Sequence, residues 1–145
     1  MIHLYHVGAP DSDDPIHIFG AGRGGEALFE ALLAAGYRVA SFVDTEKTGA
    51  FAGLPIIPTA DFVRAADRNS RILLASQHWP EAADTLAAFG FTDVRNAYPV
   101  ICQRLGIPDS TWKRRWRARL LAGGIVGGLA ASYGLVVAVR IAAGF

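Results

Sequence analysis

The chain has 145 residues, of which 52% are hydrophobic and 19% are charged. This length leaves room for roughly one ordinary domain, and the composition is too apolar for a disordered chain. The net charge of +1 hides an uneven distribution: residues 1–109 carry 13 acidic and 8 basic side chains, a net of −5, whereas residues 110–145 carry 6 basic side chains and no acidic one. An acidic body followed by a basic, apolar tail predicts a globular domain joined to a membrane-facing segment.

Cysteine and histidine usage excludes several kinds of site. Cys102 is the only cysteine, which excludes an intrachain disulfide and a zinc site built from several cysteines. His3 and His6 lack further ligands at a metal-binding spacing, and we interpret them as a surface pair. The first residues contain no basic stretch followed by a long apolar core, so we expect no signal peptide and a globular part in the cytoplasm.

The first predicted elements are two strands, a glycine-rich loop and a helix. Residues 2–7 alternate weakly in polarity and predict a short edge strand, and residues 9–15 predict a loop because Pro and Asp favour turns. The apolar run 16–19 predicts the first buried strand. Residues 23–35 predict a helix that ends at Gly36, because their apolar side chains are spaced three and four apart.

The rest of the domain repeats the alternation of strands and helices. Thr59 is expected to cap the second helix, and Pro80 to stand in the first turn of the third. The predicted elements are strands at 37–43, 54–57, 71–76 and 92–97, helices at 59–67 and 80–89, and a short closing segment at 98–106. This order predicts an α/β fold for residues 1–106, a doubly wound, Rossmann-like parallel sheet with right-handed crossovers.

A glycine-rich loop, Gly-Ala-Gly-Arg-Gly-Gly, starts at Gly20 and contains the pattern G-x-G-x-x-G between a predicted strand and a predicted helix. In this context Gly20 permits a tight turn, Gly22 lets the backbone approach a phosphate, and Gly25 lets the helix pack closely on the strand. Free amides at the start of the helix, such as that of Gly24, and the positive end of its dipole favour an anion. Arg23 adds a charged contact.

Two further positions are predicted to face this loop. Asp44 ends the second buried strand, where an acid accepts hydrogen bonds from ribose hydroxyls and repels a 2′-phosphate, which favours NAD over NADP. Ser76 follows the fourth strand at the carboxyl edge of the sheet, where ligands bind. His78 is interpreted as a surface residue, with contact to a ligand or a role as a base as the alternative, and no catalytic residue or metal ligand is predicted. The alternative is that the glycines only form a tight turn in a domain that binds no ligand.

Residues 16–98 resemble a known family. The motifs that carry the likeness are the glycine loop at 20–25, Gly36-Tyr37, Phe42-Val43-Asp44 and Gly53-Leu54-Pro55. They are similar to the small Rossmann-like nucleotide-binding module of bacterial cell-surface sugar enzymes. This module forms the N-terminal domain of sugar O-acyltransferases and occurs in some membrane sugar-phosphate transferases. The resemblance implies an NAD-like or nucleotide-sugar ligand, but not acyltransferase activity, because the chain lacks that family's β-helix of hexapeptide repeats.

The tail predicts one transmembrane helix, and the alternatives are a buried soluble helix or a helix that lies in the membrane interface. Residues 120–139 contain no charge, and at about 1.5 Å per residue a helix of this length spans the roughly 30 Å hydrocarbon core. The basic linker, residues 107–119, precedes it and only Arg140 follows. The positive-inside rule therefore places the N-terminal domain in the cytoplasm, with the chain as a single-pass protein of the bacterial inner membrane.

Small residues recur along the predicted membrane helix. Gly123 and Gly127 form one row at a spacing of four, and Gly124 and Gly128 form a second row beside it. Because small residues let helix backbones approach closely, this face predicts contact with an integral membrane protein, and the alternative is a small-residue helix that faces lipid.

Three hypotheses for function remain. The first is a membrane-anchored module that binds NAD or a nucleotide sugar and serves a membrane enzyme. The second is a structural accessory subunit of a multi-subunit membrane complex, whose Rossmann-like domain binds no ligand. The third is an oxidoreductase or sugar-modifying enzyme, which the small size of the domain disfavours. We expect no contact with nucleic acid.

Overall fold

The computed structural model describes residues 1–108, which form a mixed α/β fold with one seven-stranded sheet and four helices. The strands are β1 (Ile2–His3), β2 (Ile16–Phe19), β3 (Val39–Asp44), β4 (Gly49–Phe51), β5 (Leu54–Pro58), β6 (Arg71–Leu74) and β7 (Val94–Asn96). The helices are α1 (Arg23–Ala34), α2 (Thr59–Ala65), α3 (Trp79–Ala88) and α4 (Tyr98–Leu105).

The strand order places a topological switch point beside the glycine loop. The order is β1-β7-β6-β2-β3-β5-β4, with every neighbouring pair parallel except β4 and β5. The chain runs from β2 outward to β3 and β5, and then adds β6 and β7 on the other side of β2. The direction of winding therefore reverses between β2 and β6, and ligands of open α/β sheets bind at the carboxyl ends of the strands at such a point.

Helices cover both faces of the sheet because its strands are apolar on both sides. Alternate side chains of a strand point to opposite faces, so neighbours such as Phe42 and Val43 enter different cores. Phe42 packs with α1 and α4, whereas Val43 packs with α2 and α3. The largest fully buried side chains divide between the two cores in the same way.

Glycines mark the ends of two helices. Gly36 follows α1 with a φ of +88°, and Gly106 caps α4 with a φ of +64°. An L side chain rarely adopts this left-handed backbone, so glycine is the residue that ends each helix without strain. The predicted end of the first helix at Gly36 is confirmed to within a residue or two.

The short edge strand expected within residues 2–7 is present, although β1 pairs with β7 only over Ile2–His3. The closing segment at 98–106 is the helix α4. Two local predictions are wrong. No strand is predicted between residues 43 and 54, yet β4 lies there and pairs antiparallel with β5, so the sheet is not wholly parallel. Thr59 is not a helix cap: Pro58 holds that position, and the hydroxyl of Thr59 lies 3.2 Å from that of Thr45.

Within residues 1–108, every helix falls short of the length and hydropathy that crossing a bilayer requires. The predicted transmembrane helix at 120–139 and most of the basic linker lie outside the described residues. The same holds for the glycine face of Gly123, Gly124, Gly127 and Gly128.

Candidate functional site

The glycine loop joins β2 to α1 in a tight turn. Three of its positions require glycine, because of the backbone conformation or because of packing. Gly20 has a φ of +114°, in the region that disfavours L side chains. A Cβ at Gly24 would lie 2.6 Å from the carbonyl oxygen of Ala75, and one at Gly25 would lie 2.0 Å from that of Gly20. These three glycines therefore bring the start of α1 against the ends of β2 and β6.

Gly22 is different, because neither its backbone nor its neighbours require glycine. It caps the N-terminus of α1 with a φ of −121°, which any residue adopts. A Cβ there would meet only the Lys47 Nζ at 3.8 Å, an ordinary contact distance. No side chain caps the helix, so the backbone amides of its first turn receive no side-chain hydrogen bond from the N-cap position. Arg23 follows in the first turn, with its side chain exposed.

Asp44, at the end of β3, binds the glycine loop itself. Its Oδ2 accepts a hydrogen bond from the amide of Ala21 at 2.8 Å. Its Oδ1 accepts the amides of Glu46 and Lys47 at 2.9 and 3.0 Å. The carboxylate thus holds two backbone segments together, the glycine loop and the turn that leaves β3.

These contacts favour the ionised form of Asp44 and limit the hydrogen bonds that it can accept from a ligand. Burial alone would raise its pKa, but the amides of Ala21, Glu46 and Lys47, together with the Lys47 charge, lower the pKa below its ordinary value. A carboxylate has about four acceptor positions, and three of them are filled. Asp44 therefore retains one acceptor position, on Oδ2. To accept hydrogen bonds from both ribose hydroxyls it would need two.

Lys47 completes this arrangement and was missed by the sequence prediction. Its Nζ donates a hydrogen bond to the carbonyl oxygen of Ala21 at 2.6 Å. It also lies 6.0 Å from the centre of the Phe51 ring. The only signal for this turn is Asp44 itself, because an Asp at a strand end favours an Asx-type turn in which its carboxylate accepts backbone amides shortly after it.

Ser76 lies beside the glycine loop, as its position after β6 predicts. A Cβ at Gly20 would lie 3.7 Å from the Ser76 Cβ. The Ser76 Oγ accepts the amide of His78 at 3.1 Å and so shapes the turn into α3. His78 is exposed, as predicted. The structure therefore brings Asp44 and Ser76 to the glycine loop from opposite sides, and leaves His78 at the surface.

A second polar cluster lies at the carboxyl edge of β1 and β7. The fully buried Asn96 lies with its Nδ2 2.9 Å from the His3 Nδ1 and accepts the amide of Tyr98 on its Oδ1 at 3.0 Å. The His3 ring packs edge-on against Trp79, and burial lowers its pKa. His3 is therefore partly buried and paired, not one of a surface pair with His6. No group of three metal-ligating side chains occurs in residues 1–108.

Two hollows among the described residues lie away from the glycine loop. One of about 420 Å³ is lined by His6, Ala34 and Arg104, and one of about 240 Å³ by Tyr5, Cys102 and Ile107. Both lie against α4, and neither contains the convergent amides and charges that gather at the loop. A diphosphate is recognised by such groups rather than by enclosed volume, so the loop remains the candidate site.

No protein-family model matches the chain, and neither does any curated protein. Among solved structures, the chain is similar to UDP-D-quinovosamine 4-dehydrogenase from Vibrio fischeri, with a TM-score of 0.50 and 20% sequence identity. That likeness covers 66% of this chain and 86% of the dehydrogenase. At this identity the likeness concerns the fold.

Two acetyltransferases are similar over a shorter stretch. Perosamine N-acetyltransferase from Caulobacter crescentus, in complex with CoA and GDP-perosamine, has a TM-score of 0.48 and 22% identity over 56% of this chain. The acetyltransferase domain of PglB from Neisseria gonorrhoeae, in complex with acetyl coenzyme A, has a TM-score of 0.48 and 24% identity over 55% of this chain. The matches cover 41% and 42% of those two chains, less than half of each. The likeness to the dehydrogenase supports the mixed α/β fold.

Proposed function

We propose that the domain is a Rossmann-like module that binds the diphosphate of NAD or of a nucleotide sugar at its glycine loop. The observation that carries the proposal is Gly22. Its three neighbouring glycines are required by the turn or by packing, whereas Gly22 has an ordinary backbone and room for a Cβ, with only the Lys47 Nζ within 4 Å of that position. A phosphate that approaches the first-turn amides of α1 needs that space, which gives Gly22 a reason to lack a side chain.

The position of the loop supports the same proposal. It lies at the switch point between β2 and β6, with Asp44 on one side and Ser76 on the other. Because the dehydrogenase with a similar fold acts on a UDP sugar by its name, nucleotide sugars belong among the ligands to test. Arg23 and Gly24 complete the set of residues proposed to contact the ligand.

The sharpest test is Gly22→Ser. Serine is a good N-cap residue, and its hydroxyl accepts the same first-turn amides that a phosphate needs. The variant should therefore unfold at the same temperature as the wild type or slightly higher, yet lose binding of ADP, NAD and UDP-glucose. Isothermal titration calorimetry on the full chain in detergent measures both proteins. Gly8→Ser is the matched control, because a Cβ at Gly8 meets no atom within 4 Å.

Two results would contradict the proposal. Wild-type protein that gives neither heat nor a thermal shift with any of the three nucleotides would remove nucleotide binding. Equal binding by the wild type and Gly22→Ser would show that the ligand does not bind at the glycine loop.

A structural accessory subunit is the second candidate, and one observation favours it. Asp44 and Lys47 already bind the backbone of Ala21 from both sides, so the loop is held closed by the chain's own groups. A domain that serves only as a contact surface needs no more than this. A protein without nucleotide affinity that copurifies with a membrane complex would support this candidate.

We propose further that the tail anchors the domain to the bacterial inner membrane, beside the enzyme that it serves. The uncharged stretch 120–139 and the basic linker before it support this proposal. Gly124→Leu together with Gly128→Leu should preserve insertion, because hydrophobicity rises, but should abolish crosslinks to the partner. Leu121→Ile is a control outside the glycine rows. Unchanged crosslinks in the double variant would show that this face is not the contact.

A further inference from the structure

The turn after β3 places an ammonium group at the open side of the glycine loop. The Lys47 Nζ lies 3.8 Å from the position of a Cβ on Gly22. Gly22 is the one glycine of the loop that neither the backbone conformation nor packing requires. It is fixed there from both ends: the Lys47 amide donates to Asp44 at 3.0 Å, and the Nζ donates to Ala21 at 2.6 Å. An ammonium has three donors, and this contact uses one of them.

Asp44, by contrast, is committed to the backbone. Three of its acceptor positions are filled by the amides of Ala21, Glu46 and Lys47. Its negative charge also lies beside the Lys47 ammonium, which lowers the pKa of the carboxyl and offsets its repulsion of an anion. The acid that the sequence assigns to the ribose therefore acts mainly as the support of the loop and of Lys47.

We infer that Lys47 is the residue of this chain that recognises the ligand's phosphate, and that Asp44 is a positioning residue for it. This inference rests on the proposed function and names the ligand class of the same site: a nucleoside diphosphate, or a molecule that contains one. When the ligand arrives, the ammonium has two donors left for a phosphate oxygen at Gly22. A charged donor there strengthens the anion site that the first-turn amides of α1 begin.

Arg23 is the other cation of the loop, and its geometry differs. Both side chains are exposed, but that of Lys47 is hydrogen-bonded to the Ala21 carbonyl oxygen, and Arg23 makes none of the contacts that fix Lys47. A charge that is already held near the phosphate position loses less side-chain entropy on binding than one that must be ordered. Removing the Lys47 charge should therefore cost more phosphate affinity than removing that of Arg23.

The experiment compares Lys47→Met, Lys47→Arg and Arg23→Met in the full chain in detergent, with ADP, adenosine and pyrophosphate as probes. Loss of one charged hydrogen bond should weaken ADP and pyrophosphate about tenfold to a hundredfold in Lys47→Met. Adenosine affinity should not change, because adenosine carries no phosphate. Lys47→Arg should recover most of the loss, and Arg64→Met is the control, since Arg64 lies on α2 in an exposed ion pair. Thermal unfolding of every variant verifies that the fold is intact.

Each outcome has one meaning. Equal ADP affinity in the wild type and Lys47→Met overturns the inference and leaves the proposed function standing. A parallel loss of adenosine affinity also overturns it, because Lys47 would then shape the pocket rather than bind phosphate. Pyrophosphate binding that depends on Lys47, without nucleotide binding, would keep the anion site and overturn the proposed function. Absence of binding by all three probes would remove both.

Discussion

Replacing Asp44 with asparagine tests whether this carboxylate supports the glycine loop. Asparagine keeps one carbonyl oxygen, which can still accept the amides of Glu46 and Lys47 in place of Oδ1. The other atom becomes an NH₂ group that faces the amide of Ala21, a donor against a donor. Because Ala21 is fully buried, its amide then has no acceptor and no access to water.

The size of the effect follows from these contacts. An unsatisfied buried donor costs about 1–3 kcal/mol, and the remaining hydrogen bonds lose the assistance of the charge. We expect Asp44→Asn to lower the free energy of unfolding by about 2–3 kcal/mol in total. In a domain of this size that corresponds to a fall in melting temperature of roughly 8–24 °C.

The effect of Asp44→Asn should also depend on pH. The pKa of Asp44 is lower in the folded protein than in the unfolded chain, so its carboxylate stabilises the fold above about pH 4. This contribution is lost as the pH falls through the folded-state pKa. The difference in stability between the wild type and Asp44→Asn should therefore be full at pH 7 and shrink below pH 4.

Thermal unfolding of the full chain, followed by circular dichroism at several pH values, measures this difference. Asp61→Asn is the control, because Asp61 is exposed and its Oδ1 lies 3.7 Å from the nearest guanidinium nitrogen of Arg64. Such a surface pair contributes about 0–1 kcal/mol. If Asp44→Asn cost no more than the control, or if its cost did not change with pH, Asp44 would not be the support of the loop.

Three further predictions concern the described domain. Ala52 and Gly53 form a two-residue hairpin turn with φ values of +49° and +80°, a turn that favours Asn-Gly. Ala52→Asn should therefore raise the free energy of unfolding, measured by urea denaturation, by up to about 1 kcal/mol. An unchanged or lower value would contradict that turn. Stability should fall as the pH drops below about 6.5, because burial lowers the pKa of His17 and the fold favours the neutral ring. The fall should be smaller in His17→Gln, and equal falls would show that His17 is not responsible. A truncated chain that ends at Ile107 should be soluble and unfold in one cooperative transition in calorimetry; aggregation would show that residues 1–106 are not an independent domain.

The alternation of strands and helices could be predicted because it depends on local patterns. Apolar runs such as 16–19 need only be buried on both faces, and the glycines after them end the strand without further information. The positions of Asp44 and Ser76 at the loop follow from the same rule, since carboxyl ends of parallel strands meet at one edge. The mixed α/β sheet with its helices is thus confirmed, while ligand binding stays a prediction.

The errors occur where tertiary contacts decide. The β4–β5 hairpin turns at Ala52-Gly53, without the Asn-Gly or Asp-Gly sequence that predicts such a turn. Thr59 resembles a helix cap in sequence, but its buried hydroxyl pairs with Thr45 from a neighbouring segment. Lys47 reaches the glycine loop only because β3 and β2 are adjacent and Asp44 turns the chain back. Sequence spacing contains none of these contacts.

The same contacts bear on the choice between a ligand site and a scaffold. A loop that serves only to turn the chain requires glycine at positions 20, 24 and 25, and Asp44 on Ala21 is enough to hold it. Neither requirement explains why position 22 lacks a side chain. The Lys47 ammonium beside it holds Ala21 in either case, but a scaffold has no use for its two remaining donors. Both features are accounted for together if an anion approaches the first turn of α1 from that side, because the anion needs the space and gains from the charge. Gly22 and Lys47 are therefore the pair of residues at which the two functions make different demands, and variants of these two residues separate them while the rest of the loop stays intact.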